Sequence, residues 1–239
     1  MIPKHIGVTA YHGGFELNEY LVRMLSGVGA LTSIDTISYG KEKPLSTRTT
    51  TVEKKKVMTC QGIKHYSREI IKTFEGITDK HLDTAIKAAV TCSKTWRHTT
   101  FTERADVGAK AAAIIRARVD EFASSVTFEM GKCIEQARDE VVVSADIIDY
   151  YASNAKRFLP SEHLQPNSGE AEIVNTSLRV LFVQHPNFPY YQLASFGALN
   201  LMLGNIVMVK HAGCVPQCAI AFERLWLEAG APEGAFTNC

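Results

Sequence analysis

The chain has 239 residues, 46% apolar and 21% charged, with a formal net charge of +1. That is ordinary for a globular protein of one large or two modest domains, long enough to bury a core. A charge so close to zero gives no global field to hold nucleic acid or a membrane surface.

Residues 1–65 read as an unassigned, partly disordered segment and linker, and residues 66–239 as one organised region. The first 72 residues hold eleven Lys/Arg against six Asp/Glu. Residues 15–31 can form a helix with Leu21, Met24 and Leu25 on one face. The polar run 46–56 has neither helical nor strand period and reads as linker. Its Lys54–Lys56 triplet is a solvated loop or a small contact for an acidic partner. Glu16 and Glu19 speak against an organelle-targeting segment, and the first residues lack a signal peptide's basic and apolar regions. The six cysteines then read as reduced thiols of a cytoplasmic protein. Cys214 and Cys218 lie one helical turn apart with no second ligand pair nearby, which disfavours zinc.

From Thr78 the periodicity sharpens. Thr78 can cap a helix through Arg97, with Leu82, Ile86, Ala89 and Val90 as its stripe. Thr102 is expected to cap a second helix running to Gly131, with a stripe of Val107, Ala111, Ile114, Ile115, Arg118, Phe122 and Val126. A third helix is expected over 134–158, ended by Pro160 and the polar stretch 165–169. Residues 171–183 read as one strand. Asn187 stands where a helix cap is expected, with Pro189 in the first turn and the end near Gly204. Ile206–Val209 suits a central parallel strand buried on both faces. Pro216 opens another helix, Gly230 closes it, and Ala235–Thr237 starts a strand. The uncharged stretch 181–209 is long enough to suggest a membrane span, but Gln184, Pro186, Asn187, Pro189, Gln192, Asn200 and Asn205 interrupt it, so no transmembrane segment is expected. Helix and strand alternate as in an open α/β sheet, one that has only begun where the sequence stops.

Five motifs in order resemble the aldehyde dehydrogenase family over roughly Glu69 to Asn238. They are Glu129-Met130-Gly131-Lys132 followed by Glu135, Ala137 and Arg138; Asn187-Phe188-Pro189; Gly204-Asn205-Ile206-Val207-Met208-Val209-Lys210; Gly230-Ala231-Pro232-Glu233-Gly234; and the placement of Trp96 with Arg104. Residues 197–238 resemble the bacterial succinate-semialdehyde type. The resemblance implies an α/β fold: an incomplete doubly wound, Rossmann-like cofactor domain preceded by a helical segment. It also implies NADP or NAD as cofactor and a small aldehyde as substrate, with neither nucleic acid nor membrane as partner.

In that family a cysteine thiolate attacks the aldehyde, an Asn amide and a backbone N–H hold the oxyanion, and a glutamate activates water. Asn187 matches that Asn; the plainer reading is that it only caps a helix. Lys210 matches the lysine that meets the adenosine ribose or its 2′-phosphate; the plainer reading is an exposed loop lysine. The two are expected side by side at the carboxyl rim of the sheet, where such folds bind ligands. Gly213 stands where NAD-preferring members often carry a glutamate, so an intact relative is expected to prefer NADP, and His211 can add a donor to the phosphate. Pro186 replaces the usual Trp that shapes the nicotinamide-ribose pocket, the family's Pro-Trp being His185-Pro186 here. The Glu-Leu-Gly-Gly and nucleophile-cysteine motifs do not occur in these 239 residues. The expectation is therefore no turnover by this chain alone, an open final sheet edge, and self-association, with strand 171–183 as the pairing element. Rival readings are a nucleotide-binding or subunit-interaction protein, and the product of a disrupted gene.

Overall fold

The computed structural model describes residues 8–9, 59–65, 67–158, 160–165, 169–184 and 188–239. The expected helix over 15–31, the linker 46–56, and His185, Pro186 and Asn187 lie outside the described residues. The elements are β1 (Val8–Thr9), β2 (Thr59–Ile63), β3 (Ile70–Glu75), α1 (Asp79–Trp96), α2 (Phe101–Ala117), α3 (Val119–Met130), α4 (Ile134–Phe158), β4 (Glu162–Leu164), β5 (Ala171–Ile173), β6 (Val180–Gln184), α5 (Tyr191–Met202), β7 (Ile206–Lys210), α6 (Pro216–Glu228) and β8 (Phe236–Asn238).

A parallel sheet in the order β1-β6-β7-β8 organises the fold. Residues 180–183 and 206–209 are all buried. Since alternate side chains point to opposite faces, both faces of the sheet are covered, as a central parallel strand requires. α1 packs on β6, β7 and β8, α5 packs on β7, and α6 packs on β8; α2, α3 and α4 form a further helical layer against α5 and α6. Two antiparallel hairpins, β2–β3 and β4–β5, stand outside the sheet.

Thr78 caps α1 as its sequence position suggests, its hydroxyl accepting the His81 N–H at 3.2 Å. The next cap is Thr100 rather than Thr102. Its hydroxyl accepts the Glu103 N–H at 3.2 Å, and the Glu103 carboxylate accepts the Thr100 N–H at 2.6 Å. That reciprocal box satisfies two orphan donors, which Thr102 inside the first turn cannot do. The expected second helix is two helices, broken at Arg118 (φ −125°, ψ 34°). Both pack on α4, so the apolar stripe runs on across the break. Asp120 and Glu121 occupy the first turn of α3, where negative charge meets the helix dipole. Gly131 ends α3 at φ 71°, with the His65 ring 2.3 Å from where a Cβ would stand.

The strand expected over 171–183 is two strands in different sheets. β5 pairs with β4 and is exposed, β6 is buried between β1 and β7, and Arg179 between them turns at φ 85°. The polar run Asn175-Thr176-Ser177 between the two strands is the local signal for this break. The helix start also moves: Tyr190 is the cap of α5 and makes no side-chain capping bond, so Pro189 precedes the helix and position 187 is not its cap. Among the described residues β8 is paired only on its β7 side.

Candidate functional site at the carboxyl edge of the sheet

β6 and β7 end in register, Gln184 opposite Lys210. Beyond Gln184 the chain runs through the segment carrying Pro186 and Asn187, re-enters the described residues at Phe188, and starts α5. Beyond Lys210 it turns through His211 and Gly213 into α6. Both strands therefore end at the same carboxyl edge, the ligand-binding rim of open α/β sheets.

Lys210 is half-buried and its ammonium donates to the His211 carbonyl at 2.6 Å. That leaves further ammonium protons for an anion. His211 is only 3% exposed. Its Nδ1 accepts the Ala212 N–H at 2.8 Å, so the ring proton sits on Nε2, which donates to the Pro189 carbonyl at 3.1 Å. Burial holds its pKa below the usual value. Both nitrogens are spent inside the protein, which does not suit the expected contact with a cofactor phosphate. Gly213 is exposed and lines a cleft of about 420 Å³ with His65 and Arg68 of the β2–β3 hairpin, Glu129 and Cys214.

Two buried glutamates hold the site's helices by their N-termini. Glu140, in the apolar face of α4 with Ala137, Val141 and Ser144, accepts the backbone N–H groups of Tyr190 (3.0 Å) and Tyr191 (3.4 Å). Its other oxygen takes the Lys132 ammonium at 2.6 Å, and that ammonium lies 5.0 Å over the Phe188 ring. Glu129, near the end of α3, accepts the N–H groups of Gln217 and Cys218, each at 3.0 Å. Each carboxylate meets orphan donors and the positive end of a helix dipole. Sequence reading missed both roles, although an acid inside an apolar helical stripe signals a paired buried charge. At the other end of α5, Trp96 donates to the Leu201 carbonyl at 3.2 Å and Arg104 to the Met202 carbonyl at 2.9 Å. α5 is therefore fastened at both ends.

A second recess, of about 450 Å³, opens between α4 and α5 and is walled by Val143, Asp146, Ile147, Tyr150, Tyr151, Tyr191 and Ser195. The Phe188 and Tyr191 rings stand 6.1 Å apart edge to face beside it. Burial pushes the Cys92 thiol up to about 11 and that of Cys239 to about 12, and it raises Cys218 further still, which suppresses the nucleophilic thiolate at all three. Among the described residues no three His, Cys, Asp or Glu gather as a metal site, and no helix is long and apolar enough to cross a membrane.

Residues 51–239 match the aldehyde dehydrogenase family. Similar curated proteins include the succinate-semialdehyde dehydrogenase [NADP(+)] of Deinococcus radiodurans, 37% identical over 74% of this chain and 37% of that protein. The probable succinate-semialdehyde dehydrogenase [NADP(+)] of Synechocystis is 36% identical over 75% of this chain and 40% of that protein. The crystal structure of succinic semialdehyde dehydrogenase from Streptococcus pyogenes in complex with NADP+ superposes with a TM-score of 0.73 at 39% identity, over 75% of this chain and 40% of that one. The chain thus spans about 40% of the length of the relatives it matches.

Proposed function

Because the chain belongs to the aldehyde dehydrogenase family, we propose that it forms the cofactor-binding part of an NADP-linked oxidation of an aldehyde to its carboxylate, with succinate semialdehyde as substrate. Residues 66–239 are then a doubly wound, Rossmann-like cofactor domain. One observation carries this reading: Lys210 ends a buried parallel strand level with Gln184, the end of the neighbouring strand, three residues before Asn187 in the sequence.

The residues fit a phosphorylated dinucleotide. Lys210 offers an ammonium at the strand end, position 213 has no acid to repel a 2′-phosphate, and Arg68 adds a cation across the cleft that Gly213 lines. Glu129 also lines that cleft, but its oxygens already accept the α6 amides. When bound, the cofactor's nicotinamide supplies the hydride acceptor. Pro186 borders the nicotinamide-ribose end, and the Asn187 side-chain amide donates to the oxygen that gains negative charge. The recess beside Tyr191 gives the aldehyde an aromatic-walled approach. His211 serves this site from inside rather than as a ligand.

Subunit association is the second reading, and the β4–β5 hairpin favours it. Leu164 and Ile173 are 43% and 49% exposed there, a surface suited to a second copy of the chain. This hairpin takes the place of the single pairing strand expected over 171–183.

Calorimetric titration of the chain with NADP and NAD tests the main reading. NADP is expected to bind at least about tenfold more tightly, a difference of about 1.4 kcal/mol. Equal affinity, or tighter NAD binding, refutes the NADP assignment.

A further inference from the structure

An imidazole buried to 3% exposure is stable only if both its nitrogens find partners. His211 meets that condition with the Ala212 N–H on Nδ1 and the Pro189 carbonyl on Nε2. The second partner lies 22 positions away in the chain, immediately before Tyr190, the cap of α5. The Pro189 carbonyl also precedes the α5 ladder, since the Ala194 N–H bonds to the Tyr190 carbonyl. His211 thus satisfies an acceptor just outside the helix.

The start of α5 is held by further contacts. Glu140 takes the Tyr190 and Tyr191 amides, and the Lys132 ammonium lies over Phe188. Among the described residues, the His211–Pro189 hydrogen bond ties the entry into α5 to the strand end bearing Lys210. We propose that His211 is a positioning residue, a strap that holds Pro189 and the start of α5 against the end of β7 and so sets Lys210 relative to that helix. The inference rests on the role given to Lys210 above, and it concerns how that residue is placed rather than what it binds.

The test compares amide hydrogen exchange in the full chain with that of His211→Phe, which keeps bulk and drops the donor, and His211→Gln, which keeps an N–H. Exchange at Tyr190 and Tyr191 is expected to accelerate at least about tenfold in His211→Phe, while amides in the middle of α2 hold their rates. The Lys210 backbone amide signal shifts in the same variant, and His211→Gln returns both toward wild type. Unchanged exchange at 190–191, equal acceleration in α2, or no recovery in His211→Gln overturns the strap. Wild-type nitrogen NMR gives a check without mutation: the ring proton belongs on Nε2, and a proton on Nδ1 overturns the proposal. NADP titration of the same samples separates the two ideas. Wild type that fails to bind NADP while showing the exchange pattern refutes the cofactor reading and leaves the strap standing.

Discussion

Glu140 accepts the Tyr190 backbone N–H at 3.0 Å across fifty positions of sequence, from the second turn of α4 to the start of α5. Its other oxygen is paired with Lys132 at 2.6 Å, and its side chain is 3% exposed. One buried carboxylate therefore sets the origin of α5.

Removing Glu140 should cost more than an ordinary surface ion pair. Glu140→Ala leaves Lys132 without its anion and two helix donors without an acceptor, so a loss of about 3 kcal/mol is expected. Glu140→Gln keeps an oxygen for Tyr190 and should lose about half as much. Urea denaturation checks both; a change below about 0.5 kcal/mol in Glu140→Ala, typical of a surface site, contradicts the capping role.

Glu129 acts in parallel on α6, so Glu129→Ala should destabilise by about 2 kcal/mol. Its mark should be local: faster amide exchange at Gln217 and Cys218 with α5 unaffected. Exchange that stays slow at both amides contradicts the cap.

His211 predicts a pH dependence. Burial is the main cause that lowers its pKa below 6.5 and the Lys210 charge adds to it, while the Pro189 carbonyl and Glu140 oppose. The unfolded chain then binds a proton at pH values where the folded chain does not. The stabilisation is full above pH 6.5 and is lost as pH falls from there toward the folded value. The slope for one such group is at most about 1.4 kcal/mol per pH unit. Unfolding free energies measured from pH 8 downward should show this decline, and His211→Phe should flatten it by that amount. An identical slope in the variant argues against the assignment.

Gly213→Glu places a carboxylate on the exposed turn after β7. Repulsion of a 2′-phosphate should weaken NADP binding about tenfold or more and leave NAD binding unchanged or improved. Competition titrations read this directly, and an unaltered NADP affinity removes Gly213 from the cofactor's surroundings.

Much of this fold was legible in the sequence because strong local signals agreed with tertiary packing. Thr78, Gly131 and the apolar run 206–209 mark elements that form where the sequence puts them. Most misses are places where local signals are silent. Arg118 breaks a helix without Gly or Pro. The strand expected over 171–183 is different: Asn175-Thr176-Ser177 is a polar break legible in the sequence. The cap of α5 was misplaced because its acceptor, Glu140, comes from another helix, and no local pattern around residue 187 records that. His211 was read as a possible phosphate donor because sequence shows a basic residue beside Lys210 and conceals that its ring turns inward.

The account centres on a nucleotide held at the carboxyl edge of the sheet. Amide chemical-shift mapping of the chain titrated with NADP tests that most directly. Perturbations should concentrate at Gln184 and along 210–214, fade at the opposite edge near Arg179 and Asn205, and disappear in Lys210→Ala. Shifts centred on the Arg179–Asn205 edge, or a pattern untouched by loss of the Lys210 ammonium, contradict it.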